Sequence, residues 1–383
     1  MIFLIAYNIN LNTKSVRLSN SVAFDVREAG RVKREGNPIS GKIVKDADGN
    51  EVRIPGTLKA CKAIGWYIEE YGIAQISMNL TNYKITPVHK AFDEVCKSAE
   101  KRGLRITGSE LVGLIPLDAM LDAGRYFLQK QNRSVGVSEE ELIHIAVKSL
   151  GLDELAPFEA DKKIIEYKLK NAVDEKLVSM NLRAFANETS ADSPAPGGGS
   201  ISAYMGSLGA ALGTMVANLS AGKRGWEEHI SFFSDWAQKG QKLKDDMLKL
   251  VDEDTRAFDE IMKAFGLPKA TDDEKKLRSA AIENATKYAC EVPLRTMSVA
   301  SNSLMMLEHM IEKGNPNSIT DAGVGVLCVK AATQGAYMNV MVNVKGLKDA
   351  EFSKHMTEEA QRILAKTIVK ADELIAKVEK SVF

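Results

Sequence analysis

An aspartate on the apolar face of a predicted helix could act as a general acid or base. Asp254 comes four residues after Leu250 and four before Phe258, and side chains four apart share a helix face. The apolar residues of this face are Leu250, Val251, Phe258, Ile261, Met262 and Phe265. Asp252 points about 200° round the helix and is predicted to be solvated. A buried carboxylate must be paired, hydrogen-bonded or protonated, so Asp254 is either a structural aspartate bonded to a neighbouring helix or a catalytic group in a cleft.

Polar residues elsewhere in the second half of the chain are candidates for the same cleft. Asn339 and Asn343 are four apart, which predicts a row of amides on one helix face. A single asparagine on an apolar face is more often a packing compromise, and that alternative stays open for each of them. The remaining candidates are Asn218, Lys223, Arg224 and Asp321.

A glycine-rich segment precedes a long run without charged residues. Residues 193–200 read Ser-Pro-Ala-Pro-Gly-Gly-Gly-Ser, and the uncharged run covers 201–222. Glycines at a helix start leave backbone N–H groups unpaired and open to close approach. The segment therefore predicts a ligand at Gly197, Gly198, Gly199 and Ser200. The alternatives are a transmembrane helix of suitable length and a tightly packed helix without chemistry. Its Gly, Ser, Ala and Asn content disfavours the membrane.

The elements that must position these residues fall into two parts. Predicted strands at 3–11, 62–68, 74–80 and 104–114 alternate with helices at 14–28 and 86–102. With a predicted hairpin at 42–54 set aside, this is the β-α-β-β-α-β order of a ferredoxin-like unit. The second part is all helical, with helices at 199–220, 226–263, 272–289, 292–314, 319–345 and 350–382. The predicted fold class is α+β: a ferredoxin-like subdomain at 1–170, ending in an apolar β-like run at 163–169, and a helical bundle at 171–383.

Composition excludes several classes of protein. Lys plus Arg and Asp plus Glu both number 51, and this balance argues against a nucleic-acid-binding protein. Four cysteines and five histidines are scattered without metal-ligand spacing, which predicts reduced thiols and no zinc site. No signal peptide is evident at the N-terminus. We therefore expect a cytoplasmic protein with no metal, no nucleic-acid partner and no membrane partner.

Several blocks in the second part together resemble formimidoyltetrahydrofolate cyclodeaminase. They are residues 193–219, Leu-Val-Asp-Glu-Asp-Thr-Arg-Ala-Phe at 250–258, Leu-Pro-Lys at 267–269 and residues 335–343. The first part resembles the C-terminal subdomain of glutamate formimidoyltransferase, on the blocks at 3–11, 63–67, 74–79, 108–116 and 164–167. The resemblance covers nearly the whole chain, in the order found in the bifunctional enzyme.

The resemblance implies a reaction and a role for each candidate residue. Asp254 corresponds to the family's catalytic aspartate, and the reaction closes 5-formimidoyltetrahydrofolate to 5,10-methenyltetrahydrofolate with release of ammonia, in histidine degradation and one-carbon metabolism. Residues 197–200 are expected to admit the pterin or the formimidoyl group, and Lys223 or Arg224 to meet the glutamate tail of a polyglutamylated folate. The implied assembly is a homodimer or higher homo-oligomer. Tetrahydrofolate derivatives are substrates, and no prosthetic group is expected.

The resemblance also implies a limit and leaves alternatives open. The family's complete transferase has a further upstream subdomain that carries its catalytic histidine, and no histidine here matches it. The expectation is therefore an incomplete transferase half, no formimidoyl transfer by this chain alone, and a missing half that is a separate polypeptide or was lost by truncation. The alternatives are methenyltetrahydrofolate cyclohydrolase, and a non-catalytic folate-binding or assembly subunit that docks a transferase.

Overall fold

The computed structural model of the protein describes residues 3–37, 40–169 and 175–382. The chain divides into two compact units. The first comprises Met1–Asn132 and Ser138–Lys170, and the second comprises Arg133–Val137 and Asn171–Phe383. A small antiparallel sheet in the first unit and long helices in the second confirm the predicted α+β class.

The first unit is built around a four-stranded antiparallel sheet with the strand order β4-β5-β1-β6. Ile5, Tyr7, Ile9 and Leu11 alternate along β1 and are fully buried, because every second side chain of a strand faces the same side. The elements are β1 (Ile5–Leu11), α1 (Val16–Val26), β2 (Arg31–Val32), β3 (Arg53–Ile54), β4 (Cys61–Ile68), β5 (Ile73–Leu80), α2 (Val88–Glu100), β6 (Ile106–Val112), α3 (Leu117–Lys130), α4 (Glu139–Leu150), α5 (Ala160–Lys163) and α6 (Ile165–Leu169).

Two predicted strand regions of this unit differ in the structure. The predicted hairpin at 42–54 is present but short: the Val52 N–H donates to the Val44 carbonyl (3.0 Å) and the Asp46 N–H to the Asn50 carbonyl (2.9 Å) on either side of the Lys45–Glu51 bridge. Its last residues form β3, which pairs with β2. The predicted β-like run at 163–169 is mostly helical, in α5 and α6. Only Ile164 makes a bridge, to Ile115, and it is fully buried. Ile164 is thus a single bridged residue between two short helices, and the run forms no strand.

The second unit is a helical bundle with α8 at its centre. Its helices are α7 (Leu182–Thr189), α8 (Gly198–Ala221), α9 (Ile230–Phe265), α10 (Asp272–Lys313), α11 (Ile319–Val344) and α12 (Ala350–Val382). Helices α9, α10 and α11 surround α8. Among the described residues, α8 alone has the length and composition to cross a membrane, and 61% of its apolar window is buried inside the bundle.

Helices α8 and α11 run antiparallel and very close together. A Cβ at Gly209 would lie 2.8 Å from the Gly325 carbonyl oxygen, so the two backbones could not approach this closely with a side chain there. At one end Gly198 lies beside Asn339, and at the other the Asn315 N–H donates to Ser220 Oγ (2.8 Å). The start of α8 therefore lies beside the end of α11.

Helix α10 is continuous where the sequence predicts two helices. Pro293 lies inside it and has no N–H to donate to the carbonyl of Ala289, four residues earlier. The Asn343 amide nitrogen donates to that carbonyl instead (2.7 Å). This side-chain bond replaces the missing backbone bond at the level where α10 faces α11.

The segment Arg133–Val137 fills a slot in the helical unit. The Val135 N–H donates to Ser234 Oγ (2.9 Å), and the Gly136 carbonyl accepts from Asn218 Nδ2 (2.8 Å) and Gln241 Nε2 (3.1 Å). A Cβ at Gly136 would lie 2.2 Å from Ala237 Cβ. The segment thus belongs to the core of the second unit, although it precedes residue 170.

Candidate active site

A cleft of about 140 Å³ opens where α8 begins. Helices α9, α10 and α11 supply its other walls, and Pro194 and Ala195 lie at its edge. The polar groups that line it are the backbone of Gly197, Gly198 and Gly199 and the side chains of Asp254, Thr255, Asn339 and Asn343. The structure therefore brings the glycine-rich segment, the aspartate on α9 and the two asparagines on α11 together.

The Asp254 carboxylate lies against the first turn of α8. A Cβ at Gly199 would lie 2.1 Å from Asp254 Oδ1, so the carboxylate occupies space that only glycine leaves open. Ser200 Oγ is 3.0 Å from Asp254 Oδ2 and 2.9 Å from the Val251 carbonyl oxygen. The Ser200 backbone N–H also bonds to the carboxylate, as expected at a helix N-terminus.

The surroundings of Asp254 alter its proton affinity in opposing directions. Burial raises the pKa of Asp254, while the hydrogen bonds from the Ser200 side chain and backbone lower it, and the net direction is upward. The Ser200 hydroxyl can serve both protonation states: it donates to the ionised carboxylate, or accepts from the neutral acid while donating to Val251. The site thus holds a carboxyl group that can gain and lose a proton without stranding a buried partner.

The two asparagines on α11 are fixed by backbone carbonyls. Asn339 Nδ2 donates to the Gly335 carbonyl within α11 (2.9 Å), and Asn343 Nδ2 donates to the Ala289 carbonyl on α10 (2.7 Å). These bonds leave the amide carbonyl oxygens as acceptors for N–H groups in the cleft.

Four predicted site residues lie away from this cleft. Asn218 is twenty residues after Gly198 in α8, about 30 Å along a helix. Asn218 instead accepts from Ser134 Oγ (2.7 Å). Lys223 and Arg224 follow the far end of α8, and the Lys223 ammonium lies over the Trp226 ring (4.0 Å). Asp321 is in the first turn of α11, about 27 Å from Asn339 by helix rise.

Other side-chain predictions on α9 and α8 need correction. Asp252 is buried (5% exposed) and accepts from the N–H groups of Leu177 (2.7 Å) and Val178 (3.2 Å). Met262 and Phe265, predicted to face the core, are about half exposed (53% and 49%). Ser200 is fully buried behind Asp254, so its side chain contacts the carboxylate and not the open cleft.

Two further residues contribute to the site without having been predicted from the sequence. Thr255 Oγ1 lies 3.3 Å from Ser200 Oγ, next to the carboxylate. Ala289 also lines the cleft, and its carbonyl accepts from Asn343. Pro293, four residues later, has no N–H for that carbonyl, and this could have indicated from the sequence that another donor must reach it. Within the described ranges, no group of three or more His, Cys, Asp or Glu side chains could hold a metal ion.

Comparison with known proteins places both parts of the chain. Residues 181–362 match the family model "Formiminotransferase-cyclodeaminase", and residues 6–170 match "Formiminotransferase domain". A methenyltetrahydrofolate cyclohydrolase of Methylorubrum extorquens is 39% identical over 184 residues, which are 48% of this chain and 88% of that protein. The chain belongs to the formiminotransferase-cyclodeaminase family.

Two further relatives match nearly the whole chain and about a third of it, respectively. The formimidoyltransferase-cyclodeaminase of Gallus gallus is 39% identical over 380 residues, which are 99% of this chain and 66% of that protein. A glutamate formimidoyltransferase of Thermoplasma acidophilum is 34% identical over 127 residues, 33% of this chain and 34% of that protein. The chain thus spans just under two thirds of the length of its bifunctional relative.

The match over 6–170 corrects the expectation of an incomplete transferase half. It covers the first part of the chain with a formiminotransferase domain. The expectations of an incomplete transferase half, of no transferase activity and of a separate polypeptide for a missing half are therefore not supported.

Proposed function

We propose that this chain converts 5-formimidoyltetrahydrofolate to 5,10-methenyltetrahydrofolate and ammonia, with Asp254 as acid and base. The observation that carries the proposal is the Asp254 carboxyl, whose pKa is raised by burial, in a cleft that also holds two fixed asparagines. The family match over 181–362 supports the reaction class. The tetrahydrofolate derivative is the substrate, and the proposed chemistry uses no prosthetic group.

The proposed mechanism passes one proton through Asp254. N10 attacks the cationic formimidoyl carbon, and ionised Asp254 takes the N10 proton as the new C–N10 bond forms. Neutral Asp254 then gives the proton to the amine of the tetrahedral intermediate, the C–N bond to that amine breaks, and ammonia leaves. The product is the methenyl cation, and Asp254 is again ionised. A carboxyl whose pKa is raised toward neutrality is suited to both steps, and its negative form stabilises the cationic product.

The pterin is the part of the substrate that we place in the cleft. The cleft of about 140 Å³ is smaller than the roughly 300–1,000 Å³ that encloses a whole ligand. The three glycines at 197–199 have no side chains, so a flat ring can approach their backbone at one wall of the cleft. The carbonyl oxygens of Asn339 and Asn343 can accept from N–H groups of that ring. The rest of the folate must then lie outside the cleft.

We place the glutamate tail in a basic pocket further along the same helices. The pocket, of about 240 Å³, includes Lys269, Lys275, Arg278 and Lys348. It continues the walls of the cleft: Phe258 and Ile261 lead along α9 to Phe265, whose carbonyl accepts from Arg278 (3.1 Å). Glu283 also lines the pocket, and its carboxylate accepts from the Lys348 backbone N–H (3.0 Å). Within the described part of the chain, the side-chain cations of Lys269, Arg278 and Lys348 form no ion pair. Their cations are therefore available to carboxylates of the tail, in place of Lys223 and Arg224.

We also propose that the chain forms a homodimer or higher homo-oligomer. An uncharged stripe of exposed apolar residues runs along α8 and α11; its members are Leu208, Met215, Leu219, Val324, Leu327, Met338 and Val342. A continuous exposed apolar surface is typical of a subunit interface. Size-exclusion chromatography with light scattering of Leu327→Glu tests it, with Leu277→Glu, at an exposed position of α10, as the control. Dissociation by the first variant alone is expected, and an unchanged mass would contradict the interface.

For the first unit we infer a ferredoxin-like fold and a contribution to formimidoyl transfer. The strand order β4-β5-β1-β6 with α1 and α2 as crossovers supports the fold, and the family match over 6–170 supports the activity. Incubation of the purified chain with formimidoylglutamate and tetrahydrofolate tests the transfer. Formation of glutamate supports it, and no turnover under conditions where the second unit is active contradicts it.

The deciding experiment for the main proposal follows ammonia release from 5-formimidoyltetrahydrofolate by the purified chain. The match to a methenyltetrahydrofolate cyclohydrolase favours hydrolysis of the methenyl compound as the second candidate. Parallel assays with both substrates separate the two, since only the first releases ammonia. Ammonia release with kcat/KM well above that for hydrolysis is expected, and hydrolysis alone would assign the chain to the second activity.

The tail pocket is tested with substrates that carry one or three glutamates. Arg278→Gln with Lys348→Gln should raise KM for the triglutamate about tenfold, as expected for lost charged hydrogen bonds, and leave kcat unchanged. Lys223→Gln with Arg224→Gln, at the far end of α8, is the control with the same loss of charge. Equal KM changes in both double variants would remove the pocket from the proposal without affecting the reaction assignment.

A further inference from the structure

A second basic pocket lies in the first unit, between α1 and the segment that contains β2. Its volume is about 370 Å³. Arg17 and Phe24 come from α1, Arg27 directly follows that helix, and Arg31 and Arg34 come from the β2 segment. All these residues belong to one compact unit, and none of them contributes to the Asp254 cleft.

The positive charge of this pocket is not neutralised by its lining. Of the described residues that line it, four are arginines and none carries a carboxylate. Among the residues that the structure describes, Arg27 donates to the carbonyls of Gly30 (3.0 Å) and Ala63 (3.5 Å) alone, and Arg34 to that of Gly41 (2.8 Å) alone. Arg17 makes no hydrogen bond or ion pair with any described residue. Three guanidinium groups thus line one pocket without a carboxylate partner in the described part of the chain.

Arg31 is the exception, and its pairing is incomplete. It forms an ion pair with Asp25, but Asp25 also pairs with Arg102. One carboxylate therefore serves two guanidinium groups. Arg31 Nε is buried and has no hydrogen-bond partner among the described residues, and an unsatisfied buried donor destabilises the fold.

The surroundings of Arg27 disfavour its cationic form. Burial and the Arg53 guanidinium, which does not line the pocket, lower the pKa of Arg27. Like charges held together cost free energy that a bound anion recovers. The pocket therefore has an electrostatic reason to take up an anion.

The geometry of the pocket favours phosphate groups. Guanidinium groups present planar forks that match phosphate oxygens, and a phosphate carries up to two charges in a small volume. The Arg27 guanidinium is held over the Phe24 ring at 3.9 Å, so its orientation is fixed before a ligand arrives. A volume of about 370 Å³ lies in the range of small-molecule sites, roughly 300–1,000 Å³.

We propose that the pocket formed by Arg17, Arg27, Arg31 and Arg34 binds a small ligand that carries two or more phosphate groups. The site is separate from the cyclodeaminase chemistry proposed above and does not depend on it. Arg27, Arg31 and Arg34 also donate to backbone carbonyls, while Arg17 makes no such bond with any described residue and is the cation that can move most freely toward the ligand.

The test uses the full chain and pyrophosphate as the probe. Isothermal titration calorimetry and thermal unfolding at constant ionic strength should show saturable binding and a rise in Tm. Arg17→Gln with Arg34→Gln should weaken the affinity at least about tenfold, because charged hydrogen bonds are lost. This variant spares Arg27 and Arg31, and circular dichroism checks that it folds. The control, Lys14→Gln with Lys62→Gln, removes two exposed cations from the same unit and should bind as the wild type does.

Two results overturn the proposal. One is the absence of saturable pyrophosphate binding to the wild-type chain. The other is equal loss of affinity in the arginine and lysine variants, which would show a general charge effect. A triglutamate peptide in a third titration distinguishes carboxylates from phosphates, and binding tighter than that of pyrophosphate would overturn the assignment to phosphate.

Discussion

The Asp254 carboxylate fills the position that a side chain at Gly199 would occupy, with Oδ1 2.1 Å from an ideal Cβ there. The glycine and the aspartate are 55 positions apart in the sequence. Their contact fixes the carboxylate at the first turn of α8, where the Ser200 N–H and hydroxyl reach it.

Gly199→Ala is therefore expected to displace the carboxylate. A Cβ closer than 3 Å to Asp254 Oδ1 and Cγ forces the side chain or α8 to move, and misplacement of about 1 Å in an active site can reduce the rate about 100-fold. Steady-state ammonia release measures this. Gly222→Ala is the control, because a Cβ there meets ordinary contacts of 3.6 Å and 4.0 Å at the other end of α8. Similar activity of the two variants would contradict the role of the contact.

Asp254→Asn should remove activity and spare the fold. Loss of the proton carrier is expected to reduce kcat about 100- to 10,000-fold. Because burial raises the pKa of Asp254 in the folded state, its ionisation costs stability as pH rises above the unfolded pKa of about 4. The Tm of the variant at pH 7 should equal or exceed that of wild type, and the advantage should disappear below about pH 4. Turnover near the wild-type rate would exclude Asp254 as the acid and base.

Asp252→Ala should have the opposite effect. It leaves the N–H groups of Leu177 and Val178 without their acceptor, which costs about 1–3 kcal/mol per buried unsatisfied group. Urea unfolding should show this loss, while kcat per folded molecule stays close to wild type. A large drop in kcat with unchanged stability would mean that the roles of the two aspartates are reversed.

Ser200→Ala should shift the pH profile. Removal of the hydroxyl takes away an interaction that lowers the pKa of Asp254, so that pKa rises further. The reaction needs ionised Asp254 to take the N10 proton, so the acid limb of kcat/KM should move to higher pH, with recovery at more alkaline pH. Ser202→Ala, whose hydroxyl donates to the Gly198 carbonyl instead (2.6 Å), is the control. An unshifted limb would show that Ser200 does not tune the carboxyl.

Asn343 and Pro293 should be energetically coupled. Asn343→Ala leaves the Ala289 carbonyl without a donor in the wild-type background, but Pro293→Ala restores a backbone N–H at that position. The Asn343→Ala change should therefore cost about 1 kcal/mol less in the Pro293→Ala background. A double-mutant cycle by urea unfolding measures the coupling, and strict additivity would show that the amide does not replace the missing bond.

The sequence predicts the site well where local pattern decides it. Helical periodicity singled out Asp254, and the spacing of Asn339 and Asn343 placed both on the cleft. Periodicity failed for Asp252, because its partners are the backbone N–H groups of a segment 74 and 75 residues away. A pattern of neighbours along one helix carries no signal of such a contact.

Helix length explains the other failures. Asn218 lies near the end of α8, and Lys223 and Arg224 follow that end. Because α8 spans 24 residues, these side chains are about 30 Å from the cleft at its start. The sequence does not say which helix ends meet, and the antiparallel packing of α8 and α11 brings the start of one to the end of the other. Asp321 is remote from Asn339 for the same reason.

Because Arg133–Val137 belongs to the helical unit, that unit is encoded by two separate stretches of the gene. A polypeptide that begins after residue 170 would lack the segment Arg133–Val137, which binds Ser234, Asn218 and Gln241. The polar groups and the packing surface that this segment covers would then be exposed to solvent. Gene fission or proteolysis after residue 170 would thus not yield two complete units. A free peptide with the sequence Arg-Ser-Val-Gly-Val would be expected to complement the shortened bundle in trans.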